Sequence, residues 1–261
     1  MAQGELKLKT HEIDTFTGWT PPLPINLVIA VSFGLFVPPR ILNGAKYGGL
    51  NVHPSLLPDL HGPAPIHHTL LKQRSKTGIT IQTLHPEHFD QGQILAQTPA
   101  PGLDVPEDAT SASLIASLGE KGGEMLVDLL KSRAYIPPLH DAGWYSSSSG
   151  PVSHAEKLTK THSYIDFSAA SAQDILTRHR ALGDLWCYLP QQQSGERVIL
   201  HKIQRTGVVD TTRSEPGFVV LEGLVGLGIK TADGSVLDVT SCTVSGGTKK
   251  QGFAKIKRSL T

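Results

Sequence analysis

Two cysteines in 261 residues, Cys187 and Cys242, are too few for a disulfide framework, and their separation fits no zinc motif. A reducing compartment is expected. Net charge is nearly absent as well, +1 before any of the 12 histidines is counted. That removes a global electrostatic case for nucleic acid or an acidic substrate and leaves only local basic patches to consider. No apolar run is long enough to span a bilayer: the longest, residues 25–37, is broken by Asn26, Ser32 and Gly34 and falls short of the roughly 20 residues required. The first ten residues carry neither a secretory apolar core nor the Arg-rich, acid-poor character of an organellar presequence. There is no internal repeat. What remains is ordinary globular usage, 39% hydrophobic and 18% charged, which argues against collagen, coiled coil and disorder and predicts a soluble folded protein. A chain of 261 residues can bury a sizeable core and predicts two domains.

The pattern is α/β. Residues 25–33 form a near-continuous apolar run ended by Gly34, which reads as a central strand of a parallel sheet, covered on both faces and needing neighbours on both sides. Gly48-Gly49 lead into residues 50–53, a short strand stopped by Pro54, so Asn51 and His53, at i and i+2, project to one face. Residues 64–74 read as a helix whose start is confined by Pro65. Residues 77–84 and 93–98 read as strands, separated by a polar loop that holds Asp90. Residues 110–132 have near-helical apolar spacing, weakened by Gly119, Gly122 and Gly123. A Pro/Ser/Gly stretch at residues 137–151 has the composition of a linker and divides the chain into domains of 1–136 and 152–261. Ser171 is a candidate N-cap for a helix reaching Leu182. Residues 198–203, 217–221, 225–231 and 236–244, separated by Gly and Asp turns, predict a small antiparallel barrel.

The densest chemistry lies in Asn51-Val-His53-Pro-Ser-Leu-Leu-Pro58, Gly62-Pro-Ala-Pro-Ile66 and Phe89-Asp90-Gln-Gly92. Together these resemble the signature of the folate-dependent formyltransferases, and Leu57-Pro58 with residues 62–66 narrows the resemblance to the methionyl-tRNA formyltransferase family. The likeness is strong from about Ile25 through Leu103. It is weaker beyond, where Ile165-Asp166-Phe167, Arg180-Ala-Leu-Gly183 with Trp186, and Gly246-Gly247-Thr248-Lys249-Lys250 resemble the start and the closing turn of the family's C-terminal domain. Residues 11–21 resemble fungal mitochondrial members. The resemblance implies a Rossmann-like formyltransferase domain followed by a small antiparallel OB-like β-barrel domain that binds tRNA, in a mitochondrial monomer. It implies formyl transfer from 10-formyltetrahydrofolate to the α-amine of initiator methionyl-tRNA, with no metal and no covalent enzyme intermediate.

Two departures qualify it. The family's front strands have no counterpart before Ile25, so the chain reads as N-terminally truncated, and its activity is put in question with them. The expected consequence is a strand at residues 25–33 with exposed backbone donors and an exposed apolar face. The family also commonly has basic residues where this chain has Asp59-Leu60-His61, which reduces phosphate attraction there.

Formyl transfer to an amine passes through a tetrahedral intermediate, so a site must stabilise an oxyanion and take a proton from nitrogen. Asn51 offers a neutral amide donor, and His53 titrates nearest neutrality. A carboxylate within reach would orient that imidazole and favour its charged form, and Asp90 is the candidate. The resemblance gives these three residues those roles. It assigns the folate to Phe33, Gly34 and Leu35 and to Ser55, Leu56, Leu57 and Pro58, an apolar pocket suited to a flat pterin. The phosphates of tRNA call for a local basic run, which Lys249, Lys250, Lys255, Lys257 and Arg258 supply.

Plainer readings compete. A lone Asn-x-His is more often a satisfied structural pair, and an Asp before Gln-Gly a turn residue. His85, His88 and Asp90, or His61, His67 and His68, have spacings that could bind a metal and would indicate a metallohydrolase. Residues 223–228 have the wrong glycine spacing for a dinucleotide loop and read as a turn between strands. Ser55 lacks a Gly-x-Ser-x-Gly elbow, and Trp186 and Cys187 read as core. The rival functions are transfer to a small amine of the glycinamide ribonucleotide type, and a catalytically silent protein that binds folate or RNA.

Overall fold

The computed structural model describes residues 9–21, 23–189, 195–208, 210, 215–245 and 252–260. In chain order the elements are β1 (Val28–Val31), α1 (Pro39–Leu42), β2 (Gly49–His53), α2 (Pro65–Leu71), β3 (Lys76–Thr77), β4 (Thr80–Thr83), β5 (Ile94–Gln97), β6 (Leu103–Asp104), α3 (Ser111–Ser132), α4 (Ala172–Leu182), β7 (Leu185–Tyr188), β8 (Arg197–Arg205), β9 (Gly217–Val219), β10 (Leu227–Lys230), β11 (Val236–Val244) and α5 (Gly252–Leu260). They form two compact units. One comprises the described residues up to Pro63 with Gly78–Leu103 and Leu118–His154, the other Ala64–Thr77, Asp104–Ser117 and the described residues from Ala155 on.

The first unit is built on a mixed sheet of order β1-β2-β4-β5. Only β1 and β2 run parallel; β2–β4 and β4–β5 are antiparallel. The expectation of a parallel sheet is corrected here, because residues 84–93 form a short return that brings β5 back beside β4, and only a long crossover would allow a parallel pair. The expected central strand is corrected too. Among the described residues β1 is an edge strand of four residues bonded on one side, and Ile29 and Val31 are 43% and 56% exposed, the exposed apolar face expected of a strand without the family's front neighbours. An apolar run has no period by which to tell an edge from a centre. Its other face does pack: Ile25 and Val28 lie against Val37, Ile41 and Leu42, together with Phe16, Trp19 and Leu84.

Gly122, a weak point in the helical pattern, has a packing reason. A Cβ there would stand 3.2 Å from Val52 Cγ1, so glycine lets α3 lie close against β2. Residues 137–151 are tied to β5. The Trp144 indole N–H donates to the Thr98 carbonyl at 2.6 Å, and the backbone N–H groups of Trp144 and Tyr145 both donate to Gln97 Oε1, at 3.0 and 3.1 Å.

The second unit carries a five-stranded antiparallel sheet of order β7-β8-β11-β10-β9, which bends where the β8–β11 register shifts around Ser241. Its inner face buries Leu185, Leu200, Phe218, Leu227, Ile229 and, from α5, Ile256, each contributing roughly 1.5–3 kcal/mol relative to exposure. α4 opens with a capping box between Ser171 and Asp174 and ends at Gly183, whose φ of 73° suits glycine. β7 is an element that turn spacing did not predict. Cys187 and Cys242 are free and buried in this core, and burial pushes the Cys242 thiol up to about 11. Trp186, expected in the core, is instead half-exposed, because β7 alternates Leu185 and Cys187 inward with Trp186 and Tyr188 outward.

Candidate active site

The site is assembled on β2 and β4. Period-two geometry puts Asn51 and His53 on one side of β2, and the antiparallel register sets Gln82 of β4 directly opposite Asn51. The loop after β4 returns over these strands and delivers Asp90. Its Oδ1 accepts N–H bonds from Asn51 Nδ2 and Gln82 Nε2, both at 3.1 Å, and its Oδ2 accepts from the Gly62 backbone at 2.8 Å. His53 Nδ1 lies 3.3 Å from Asp90 Oδ1, with the two side chains only 6% and 7% exposed. Asn51, His53 and Asp90, distant in sequence, therefore meet at one place.

The backbone is strained to hold them. Asp90 and Leu60 have φ of 55° and 56°, a left-handed conformation that costs a non-glycine residue roughly 1–2 kcal/mol. The three bonds to its carboxylate hold Asp90. Leu60 is held by its N–H, which donates to Ser153 O at 2.8 Å, and by its carbonyl, which faces His53 Nε2 at 3.0 Å. Gly92 closes the turn so tightly that a Cβ would fall 1.7 Å from the Thr83 carbonyl oxygen. Its N–H donates to Gln82 Oε1 at 3.0 Å. One buried amide, Gln82, thus holds both ends of the Asp90-Gln-Gly92 turn. No motif marked this residue; the pairing of β4 against Asn51 and His53 is the signal that finds it.

Both partners of the ring accept, Leu60 O at Nε2 and the Asp90 carboxylate at Nδ1, so neutral His53 satisfies one of them, Leu60 at the shorter 3.0 Å when the proton is on Nε2, and the imidazolium satisfies both. Burial is the largest influence on His53 and holds it below its ordinary value of 6.5. The Asp90 charge and the Leu60 bond oppose that, and His61 adds a smaller lowering. The Asp90 carboxylate favours the charged imidazole, as expected, but desolvation outweighs it. His53 is a neutral base at neutral pH, and a proton arriving at Nδ1 meets a carboxylate already in place.

The segments expected to take the folate fare differently. Phe33 and Gly34 are exposed, and Leu35 begins a cleft of about 320 Å³ that it lines with Phe36, Pro38, Arg40 and residues 15–18. The Phe36 ring meets that of Phe89, next to Asp90, at 5.2 Å between centroids, so this end of the cleft adjoins the Asp90 loop. Ser55, Leu56 and Leu57, by contrast, are buried, and only Pro58 of that segment reaches the surface. Ser55 Oγ donates to Asp59 O at 2.7 Å, and Thr80 Oγ1 accepts from the Leu57 N–H at 3.1 Å while donating to Ser55 O at 2.7 Å. These bonds fix the conformation of the loop.

His85 stacks on His88 with centroids 5.2 Å apart, and its Nδ1 accepts the N–H groups of Glu87 and His88. Among the described residues no three His, Cys, Asp or Glu side chains converge as a metal-binding group, so neither histidine set assembles. Of the basic run, Lys249 and Lys250 lie outside the described residues. Lys255, Lys257 and Arg258 stand on α5, where Lys255 Nζ donates to Glu196 Oε1 at 2.6 Å.

A turn-borne carboxylate, an amide and a neutral imidazole are gathered on a mixed α/β sheet, groups able to hold a developing oxyanion and to take up a proton. The family model described as formyl transferase matches residues 15–130, and the chain belongs to the formyltransferase family. It is 30% identical over 224 residues to the methionyl-tRNA formyltransferase of Bacillus mycoides, covering 85% of this chain and 67% of that protein. It is 31% identical over 241 residues to the mitochondrial methionyl-tRNA formyltransferase of Saccharomyces cerevisiae, covering 82% of this chain and 59% of that protein. The chain thus spans about 60% of the length of the yeast proteins it matches. Among solved structures, HypX from Aquifex aeolicus in complex with tetrahydrofolic acid has a TM-score of 0.62 at 16% identity, covering 83% of this chain and 35% of that chain. An N-formyltransferase from Helicobacter canadensis has a TM-score of 0.53 at 17% identity, covering 78% and 70%. These likenesses identify the fold as the Rossmann-like formyltransferase fold.

Proposed function

We propose that this protein transfers the formyl group of 10-formyltetrahydrofolate to the α-amine of initiator methionyl-tRNA, for translation initiation in mitochondria. The observation that carries the reading is the convergence of Asn51 and His53 on Asp90. Bound 10-formyltetrahydrofolate supplies the formyl carbon: the amine nitrogen bonds to it, the bond from that carbon to the folate N10 breaks, and the proton that leaves the amine ends on N10 of the departing tetrahydrofolate. His53 receives the amine's proton at Nδ1, and the Asp90 carboxylate 3.3 Å away stabilises the imidazolium that results. Asn51 has two amide N–H groups. One is held by Asp90, and the other is the donor for the oxygen that becomes anionic. Asp90 orients both partners, and its near-complete burial strengthens each interaction.

The folate reading falls on Phe33, Gly34, Leu35 and the cleft beyond them, and on the loop of Ser55, Leu56, Leu57 and Pro58, of which Pro58 is exposed. The apolar wall of Leu35, Phe36 and Pro38 suits a flat ring. Residues 1–136 are read as the catalytic part and 152–261, joined through 137–151, as the tRNA-binding part. There the antiparallel sheet serves as an OB-like barrel, and Lys249, Lys250, Lys255, Lys257 and Arg258 meet phosphates in a monomer. The test is single-turnover transfer with the purified chain. His53→Ala is expected to slow it by roughly 10²–10⁴, and turnover that survives that change would remove the mechanism. Transfer to a small amine is separated by tRNA binding, which should weaken steeply with salt only if tRNA is the acceptor.

A further inference from the structure

β7 presents Trp186 and Tyr188 on the outer face of the antiparallel sheet, paired with Ile199 and Arg197 of β8. A parallel bridge from Tyr164 to Trp186 brings in a third ring. The ring centroids are 4.8 Å apart for Tyr164 and Trp186, 5.4 Å for Trp186 and Tyr188, and 6.1 Å for Tyr164 and Tyr188. None of the three belongs to the core cluster, and Tyr188 is 50% exposed. The Arg197 guanidinium lies over the Trp186 ring, 4.1 Å from its centroid.

A second guanidinium, that of Arg178, is bonded beside the rings. The Trp186 indole N–H donates to the Lys160 carbonyl at 2.8 Å, and Arg178 donates to the Tyr164 carbonyl at 3.0 Å. The carboxylates nearby in sequence are engaged: Asp184 with His201 at 2.8 Å, Asp166 with the Ser168 hydroxyl at 2.6 Å, and Glu196, beside Arg197, with Lys255 at 2.6 Å. The last pair also sets the basic helix α5 next to the start of β8. Aromatic faces beside the Arg197 and Arg178 guanidinium groups match the two parts of an unpaired nucleotide, a base that stacks and a phosphate that accepts.

We propose that Tyr164, Trp186 and Tyr188, with Arg197, form a stacking platform for unpaired nucleotides of RNA. The identity of that RNA as tRNA rests on the function proposed above; the binding chemistry stands without it.

The test is fluorescence anisotropy of the full chain with a labelled six-nucleotide single-stranded oligoribonucleotide and, separately, a labelled RNA hairpin whose bases are paired, each at two salt concentrations. Base stacking on one ring is expected to change affinity by roughly tenfold. Tyr188→Leu and Trp186→Leu should therefore each weaken single-strand binding by about that factor, and Tyr188→Phe, which keeps the ring, should restore it. Arg197→Gln should weaken it and reduce the salt slope by about 0.7. Hairpin affinity should be unchanged by Tyr188→Leu. Should Trp186→Leu fail to fold, the half-exposed Tyr188 decides alone. No measurable binding of the single strand by wild type, single-strand affinity in Tyr188→Leu and Arg197→Gln within twofold of wild type, or an equal loss on the hairpin would overturn the platform. Formyl transfer to tRNA that proceeds while these variants bind the strand normally would leave the proposed function standing and remove the platform. Strand binding that behaves as expected in a chain that formylates nothing would do the reverse.

Discussion

β4 and β1 flank the same strand, β2, and could hardly be more different. On β4, Thr80, Ile81 and Gln82 are buried, and the polar groups among them are matched: Thr80 Oγ1 bonds Ser55, Leu57 and Gln97, while Gln82 bonds Asp90 and Gly92. On β1, Ile29 and Val31 face outward, and the outer edge has no partner strand among the described residues. The left-handed Leu60 and Asp90 that shape the site both bond to groups on the β2–β4 side. Strain and buried polar atoms persist only where surrounding bonds over-determine them. The chemistry therefore belongs to the saturated flank, and the exposed flank should be separable from it.

The largest effect should come from Asp90→Asn, which keeps the shape but sets an amide among donors and removes the charge facing His53. Formyl transfer is expected to fall by roughly 10²–10⁴, measured as single-turnover rate with folding checked by circular dichroism. The pH profile sharpens this. Wild-type rate should hold through neutrality and fall only on acidification below 6.5, because burial lowers the His53 value. Asp90 opposes that lowering, so the residual activity of Asp90→Asn should fall at a still lower pH. Stability follows the same sign. Between the lowered folded value and 6.5 the unfolded chain binds the proton and the folded one does not, so this contribution is present above 6.5 and lost as pH falls through that window. An acid limb that moves upward in Asp90→Asn would contradict the assigned electrostatics.

Next is Gly92→Ala. A methyl 1.7 Å from the Thr83 carbonyl oxygen cannot be accommodated without moving the turn. Displacement of about 1 Å at a positioned group costs on the order of a hundredfold, so transfer should drop by that factor with substrate affinity less affected. Smaller again is Gln82→Leu, which removes a donor to Asp90 and leaves the Gly92 N–H without its acceptor. A loss of about 1–3 kcal/mol in stability is expected from the unsatisfied group, read by urea denaturation, with roughly tenfold slower transfer. Full activity in Gln82→Leu would mean that the turn holds itself.

How much of this was legible in the sequence depended on the range of the signal. Period and caps are local, so α3, the Ser171 cap and the strand Val236–Val244 read directly. Asn51 and His53 share a face by spacing alone, whereas Asp90 came from motif resemblance because a turn brings it across 39 positions. Gln82 needed the register of β4 on β2, which no local pattern encodes. β7 is four residues directly after Gly183, too short for its alternation to stand out, and so Trp186 was taken for core. That the Ser55, Leu56 and Leu57 side chains are buried in their Pro-bounded loop is visible only in the fold.

The smallest effect is the most direct test of the two flanks, because the same change can be made on each. Ile29→Val and Ile81→Val both delete one methylene from a strand residue and keep β-branching, so strand propensity is nearly constant. Ile81 is fully buried and Ile29 is 43% exposed. The buried change should cost about 0.5–1.5 kcal/mol and the exposed one less than about 0.5, read as the shift in urea midpoint at constant slope. Neither should alter the His53 acid limb, since neither side chain is among the groups that shift His53. Equal destabilisation by the two would mean that the outer face of β1 is covered in solution, and the contrast between the flanks would then be one of chemistry alone.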